Sequence, residues 1–227
     1  MRKIIAQTAT RPASDGRSED AILSLPDQRI VALADGFGGR EGDQGPAARA
    51  CAAVHQFLVH EAGDREATLP FVMRHYFSLA GNVLFNAIVH ANRLLLAENA
   101  RKSVHARGGA SLVAAYLDDE VLSVASVGGC QAWFIRQGRA SPLLVPRSWG
   151  RWVDPGASAL GLAARIPLMA LGIHEDLEPE VVEVRVQPGD QVWFGTFEPC
   201  FEAGVLTETS LNSGTYRCEE SWVLWNF

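Results

Sequence analysis

Near Ala110 the spacing of apolar residues changes from a helical to a strand period, and that change excludes both an all-helical and an all-β chain. Upstream, Ala47, Ala48, Cys51, Val54 and Leu58 recur at i, i+3/i+4 and predict an amphipathic helix that ends near Gly63. A second helix, or a broken pair, is predicted over roughly residues 69–101, with Leu84, Ala87, Ile88, Ala91, Leu94 and Leu95 as its apolar stripe. Downstream, residues 112–117, 121–127 and 132–136 are strand-like runs separated by Asp118-Asp119 and Gly128-Gly129, which reads as a meander of antiparallel strands, with Gln137-Gly138 turning the chain again. Residues 181–186 alternate, Pro188-Gly189-Asp190 makes a turn, Val192-Trp193-Phe194 starts a further strand and residues 222–225 form a last one. One buried strand precedes the helices: Arg29-Ile30-Val31-Ala32-Leu33-Ala34, bounded by Pro26-Asp27 and a glycine cluster, with Asp35 at its exit. Helices followed by hairpin-connected strands imply a layered α+β domain in which helices cover antiparallel sheets.

At 227 residues, 48% hydrophobic and 20% charged, the chain can build a sizeable core, and a single domain over residues 1–227 is expected. A formal net charge of −6 gives no electrostatic footprint for nucleic acid or an anionic membrane. Protein or small-molecule partners are expected instead. Lys3 and Lys102 are the only lysines, so no Walker-type phosphate loop exists. The amino terminus is too short in apolar residues for a signal peptide and no run approaches a spanning helix, so a soluble, cytoplasmic protein is expected. Cys51, Cys130, Cys200 and Cys218 are scattered without a C-x-x-C pair and read as reduced structural thiols. The six histidines form no zinc motif. The Ser148 to Trp152 stretch, rich in Trp and Arg, reads as a buried flap, with a partner-binding patch as the alternative.

The chemically suggestive residues are two acidic clusters at the ends of elements, Glu19-Asp20 ahead of an apolar run and Asp35-Gly36 after the next strand. If those strands are neighbours, the carboxylates converge. Hard divalent ions such as Mg²⁺ or Mn²⁺ favour carboxylate and carbonyl oxygens, and glycine lets main chain approach an ion. Read alone, an Asp-Gly at a strand exit is more often a plain turn, and a Glu-Asp pair is usually solvated. Gly36-Phe37-Gly38-Gly39 before a helix is not a dinucleotide fingerprint, because Glu41 stands where the third glycine belongs.

In order along nearly the whole chain, the segments resemble the PPM (type 2C) metal-dependent Ser/Thr protein phosphatases. Gly16-Arg17-Ser18-Glu19-Asp20-Ala21 is similar to the family's R-x-x-N-E-D-a opening, and Val31-Ala32-Leu33-Ala34-Asp35-Gly36-Phe37-Gly38-Gly39 to its v-x-D-G-x-G-G block. Gly108-Gly109-Ala110-Ser111-Leu112-Val113 resembles the G-(S/T)-T strand, and residues 122–132 resemble l-x-v-a-x-v-G-D-S-R-a. Leu171-Gly172, Gln187-Pro188-Gly189-Asp190 and Val192-Trp193-Phe194 resemble the a-L-G and p-G-D-x-l-l-l blocks. The resemblance implies a layered α-β-β-α sandwich of antiparallel sheets flanked by helices. It also implies metal ligation by Asp20, Asp35 and the Gly36 carbonyl with Glu19 in support, a phosphate contact from Arg17, and Glu219 or Glu220 at the place of the terminal D-N or D-D.

The departures are as informative. Thr196-Phe197-Glu198 stands where the family has S-D-G, so a phenylalanine replaces a metal-binding aspartate, and Gly128-Gly129-Cys130-Gln131 replaces G-D-S-R. Two adjacent divalent ions repel and need several carboxylates, so at most one Mg²⁺ or Mn²⁺ ion is expected. The implied function is that of a phosphatase-family protein with a degenerate metal site, a pseudophosphatase that engages a phosphoprotein, a kinase or another regulatory protein in signalling. The alternative is an active Mg²⁺/Mn²⁺-dependent phosphoprotein phosphatase using Asp35, Asp20 and Arg17. A third reading, with no ligand in the cleft, requires Arg17 or Arg40 to neutralise the acids.

Overall fold

A computed structural model of the chain describes residues 3–11, 19–39, 45–62, 73–154, 166–196, 201–202, 205–206 and 220–227. Its elements in chain order are β1 (Ile5–Arg11), β2 (Asp20–Leu25), β3 (Ile30–Gly38), α1 (Pro46–Ala62), α2 (Leu79–Asn99), β4 (Gly108–Asp118), β5 (Val121–Val127), β6 (Gln131–Arg136), β7 (Arg139–Leu144), the one-turn α3 (Trp149–Trp152), β8 (Glu180–Arg185), β9 (Gln191–Gly195), the short β10 (Phe201–Glu202) and β11 (Val205–Leu206), and β12 (Glu220–Asn226). The long strands make two five-stranded antiparallel sheets, ordered β2-β3-β4-β5-β8 and β1-β12-β9-β6-β7.

Strand alternation assigns each residue of β3 to a layer. Ile30, Ala32 and Ala34 join a core with Ala50, Val54 and Leu58 of α1 and with Leu84, Ile88 and Leu95 of α2. Val31 and Leu33 join a second core between the sheets, with Val113, Val124, Phe194 and Trp225. The alanines on the helix side let α1 approach the sheet closely. The outer face of the second sheet carries Trp193, Ile135 and Leu224, flanked by Trp133 and Trp222. Among the described residues, the long helices lie on the β3 side.

The α1 reading holds to within a residue. The second helix starts at Leu79, ten residues later than its predicted start, because Ser78 in extended conformation caps it by accepting from Gly81 N at 3.1 Å; residues 69–72 of that prediction lie outside the described set. Glu183 of β8 ties this helix end to the sheet: its carboxylate accepts from Ser78 N at 3.0 Å, from Ser123 Oγ at 2.9 Å and from Ser78 Oγ. The meander is corrected. β5 does not pair with β6, because its free edge is taken by β8, and Gly128, at φ +84°, turns the chain across to the other sheet. Gln137-Gly138 does form the hairpin turn, with both residues at positive φ, as a two-residue turn between twisted strands requires. β1 has no apolar run to announce it: only Ile4 and Ala6 at its start face the inter-sheet core, and its edge position leaves Gln7, Thr8 and Thr10 exposed. The flap is not buried where it is described, since Trp149 and Trp152 are 46% and 58% exposed.

Candidate functional site

The site lies where the inner faces of the two sheets turn from apolar to polar. On β2, Ile22 faces the inter-sheet core, so Asp20, two residues earlier, shares its side; on β3 and β4 the same parity carries Leu33 to Asp35 and Val113 to Ser111. Asp20 and Asp35 are directly opposed in the β2–β3 register, and Asp35 is opposed to Ser111 on β4. The two acids that the sequence placed on separate elements therefore converge. Asp35 is not at the strand exit, however: β3 continues to Gly38, because Gly36, Phe37 and Gly38 go on pairing with Ala110, Gly109 and Gly108.

From the opposite sheet, Phe194 leads to Thr196 and Val223 to Ser221. Thr196 Oγ1 donates to Asp20 Oδ2 at 3.3 Å and accepts from Ser221 N at 3.1 Å, and Ser221 Oγ donates to Thr10 Oγ1 at 3.2 Å. A chain of hydrogen bonds thus runs from Thr10 of β1 through Ser221 of β12 and Thr196, just past β9, to Asp20. On the other flank Gly129 N donates to Ser111 Oγ at 3.0 Å, and a Cβ on Gly128 would stand 2.5 Å from that oxygen. Sequence reasoning did not single out Thr196, Ser221, Ser111 or Thr10. The signal was available for the first two, in the strand period that runs inward through Val192 and Phe194 and through Trp225 and Val223.

Gly36 is placed by contacts that only glycine allows. Its N–H donates to the Glu19 carbonyl at 3.1 Å, and a Cβ there would stand 2.7 Å from that oxygen and 3.1 Å from Ala47 Cβ at the start of α1. Beneath the acids lie two buried thiols. Cys51 Sγ donates to Ala21 O at 3.7 Å, and its pKa is pushed up to about 12 by burial and, secondly, by the charge of Asp20. Burial, then the charges of Asp35 and Asp20, push Cys130 well above its ordinary value. Both stay protonated, and neither is a nucleophile.

Opposed carboxylates on neighbouring strands beside a glycine carbonyl are a donor set for one hard cation. Among the described residues there is no group of three or more His, Cys, Asp or Glu placed to hold a metal ion. Arg17, Arg40, Phe197, Glu198 and Glu219 lie outside the described residues; Glu220 opens β12 opposite Arg11, with its side chain outside the description. No described helix is long and apolar enough to cross a membrane.

The chain matches no family model and no curated protein sequence. It is similar over nearly its full length to solved structures. These include the Mycobacterium tuberculosis serine/threonine phosphatase PstP/Ppp, at 17% identity and TM-score 0.74 over 99% of this chain and 98% of that one. A second is PppA, described as a key regulatory component of T6SS in Pseudomonas aeruginosa, at 15% identity and TM-score 0.71 over 99% and 98%. A third is the PPM Ser-Thr phosphatase MsPP from Mycobacterium smegmatis, at 21% identity and TM-score 0.67 over 98% of each chain. A structure of the PstP catalytic domain in complex with two manganese ions is similar at 20% identity, with TM-score 0.69 over 98% of each chain. Two packed antiparallel sheets with α1 and α2 on one of them, matched end to end by these proteins, give this chain the fold of the PPM Ser/Thr phosphatases.

Proposed function

We propose that residues 1–227 act as one phosphatase-fold domain with a depleted metal site, catalytically weak or inactive, working in cytoplasmic phospho-signalling by binding a phosphoprotein, a kinase or another regulatory protein. The observation that carries this reading is the donor set: in the described part of the cleft Asp20 and Asp35 are opposed, Asp20 accepts from the Thr196 hydroxyl, and no third His, Cys, Asp or Glu is placed to complete a metal site with them. A two-ion clamp stabilises both the attacking and the leaving oxygen of a phosphoryl group, so holding at most one ion forgoes much of the rate enhancement. The phenylalanine at position 197, where the resemblance implies an aspartate, points the same way. PppA, a regulatory component among the similar structures, is compatible with a partner-binding role.

A second reading, an active Mg²⁺- or Mn²⁺-dependent phosphoprotein phosphatase, is favoured by the convergence of Asp20, Asp35 and the Gly36 backbone. When bound there, a divalent ion would supply the positive charge that acidifies a water and offsets phosphoryl charge. Asp35 and Asp20 would hold it, with Glu219 or Glu220 as further donors and Arg17 orienting the phosphate.

Calorimetric titration with Mn²⁺ and Mg²⁺, on wild type and Asp35→Ala, with phosphopeptide turnover in the same buffer, separates the two. The partner-binding reading expects weak or no ion binding and no turnover above background. Turnover that requires the ion and disappears in Asp35→Ala would overturn it in favour of the enzyme.

A further inference from the structure

Asn99, the last residue of α2, is 5% exposed, and its carboxamide is spent entirely on backbone. Nδ2 donates to Gly108 O and to Gly172 O, both at 2.7 Å, and Oδ1 accepts from Gly108 N at 3.2 Å. Gly108 is where β4 meets the turn that ends β3. It is opposed to Gly38, and a Cβ on it would stand 2.8 Å from both Cα and N of Gly39. Gly38 and Gly39 have φ of +68° and +63°. These backbones are in direct contact, and nothing but main chain separates the Asn99 amide from the turn.

N-terminal to Leu112, residues 108–111 of β4 lack β5 as a partner, since the pairing between the two strands runs from Leu112 with Val127 to Asp118 with Val121. The edge of β4 that would be left open is closed by residue 171, through Ala110 N to Leu171 O at 3.1 Å and Leu171 N to Ala110 O at 2.9 Å. The next residue, Gly172, is the second carbonyl that Asn99 holds, and its N–H donates to Asn92 Oδ1 at 2.8 Å. The same stretch of β4, residues 108–111, lies opposite Gly38, Phe37, Gly36 and Asp35. One side chain therefore ties together the strand end that faces the acid pair and the segment that covers that strand's free edge.

We propose that Asn99 is a positioning residue for the cleft: by gripping Gly108 and Gly172 it sets the place of the Gly36 carbonyl and of Asp35 relative to Asp20. The inference rests on the reading of Asp20, Asp35 and the Gly36 carbonyl as a divalent-ion site. A merely structural role, closing the end of α2, would cost stability without altering the cleft.

Asn82 supplies the control. It is as deeply buried at 1% exposure, its carboxamide likewise serves only backbone (Arg74 N and O, Phe77 O and Ser78 O), and it sits 17 positions earlier on the same helix, about 25 Å away. In a Mn²⁺ titration, Asn99→Ala should weaken binding by about tenfold or more, the range typical of partners that orient metal ligands. Asn82→Ala should lower the unfolding temperature and leave the affinity within about twofold. Equal Mn²⁺ affinity in Asn99→Ala and wild type, or equal weakening in both variants, would overturn the proposal.

If wild type itself binds no Mn²⁺, the ion-site reading fails and a metal-free readout decides the role of Asn99. In the proposal's favour, amide exchange of Gly36, whose N–H is bonded to Glu19 O, speeds about tenfold relative to β5 amides in Asn99→Ala and not in Asn82→Ala. Uniform exchange in all three proteins would refute it. Should Asn99→Ala not accumulate as folded protein, Asn99→Ser, which keeps one donor, is read by the same two measurements and is expected to show an intermediate loss.

Discussion

Replacing Gly36 with alanine tests whether the cleft is built by close approach of main chain. Gly36 is not among the glycines at positive φ, so alanine can adopt its backbone, and the demand for glycine is spatial. An added Cβ would stand 2.7 Å from the Glu19 carbonyl oxygen, against about 3.3 Å for an ordinary C···O contact. Retreat in the other direction is blocked by Ala47, whose Cβ and N would lie at 3.1 and 3.3 Å. Relief therefore requires the Glu19 carbonyl or the start of α1 to move by about half an ångström. Overpacking of this kind costs about 1–3 kcal/mol. Stretching or losing the Gly36 N to Glu19 O bond adds about 0.5–1.5 kcal/mol, for a total of about 1.5–4.5 kcal/mol. Because Glu19 precedes Asp20, the displacement also shifts one of the two opposed acids. Urea unfolding of Gly36→Ala, followed by Trp fluorescence, should give that loss with an unchanged m-value. A loss below about 0.5 kcal/mol would mean that the β2–β3 end is loose, and the argument from close packing at the acid pair would fail.

Gly195→Ala should be more damaging, since its Cβ would fall 2.0 Å from Cη2 of the fully buried Trp193; expelling or tilting that indole costs about 3–5 kcal/mol in urea unfolding. In a Trp193→Ala background the same change should be nearly neutral, and additive effects would refute the steric cause. The buried thiols make stability fall at alkaline pH. Cys51 is raised from 9.0 to about 12, so the unfolded thiol ionises first: its contribution is complete below about pH 9 and is lost as pH rises toward 12, at about 1.4 kcal/mol per pH unit. Cys51→Ala should therefore lose less stability than wild type between pH 8 and pH 10.5, and parallel profiles would contradict the assignment.

The parts legible in the sequence are those fixed by period and by turn chemistry. α1, β5, β8, β9 and the 137–138 turn follow from apolar spacing or from residues suited to positive φ. The convergence of Asp20 and Asp35 was conditional on β2 lying beside β3, and the register makes it so. What escaped has physical reasons. β1 is an edge strand whose polar residues face out, so it carries little apolar signal. The transfer of β6 to the other sheet depends on which strand occupies the edge of β5, and β8, more than fifty residues further on, takes it. For Thr196 and Ser221 the strand period marks only the inward direction; their partner, Asp20, is set by the two sheets bringing β9 and β12 against β2, a long-range consequence.

The order of strands in the second sheet also dictates the order in which the molecule can be finished. β12, the last of these strands in chain order, lies between β1 and β9 and so fills an interior position. The β2-β3-β4-β5-β8 sheet and its two helices draw on residues 20–185 and can assemble while the chain is still growing. Among the described strands β1 pairs only with β12, Ile5 standing opposite Asn226 across more than two hundred residues. Until that strand emerges from the ribosome, both flanks of the gap present unpaired main chain, and Val223 and Trp225 are missing from the inter-sheet core. Nascent chains halted before residue 220 should thus be more prone to capture by chaperones or to aggregation than chains in which β12 has emerged and can close the sandwich.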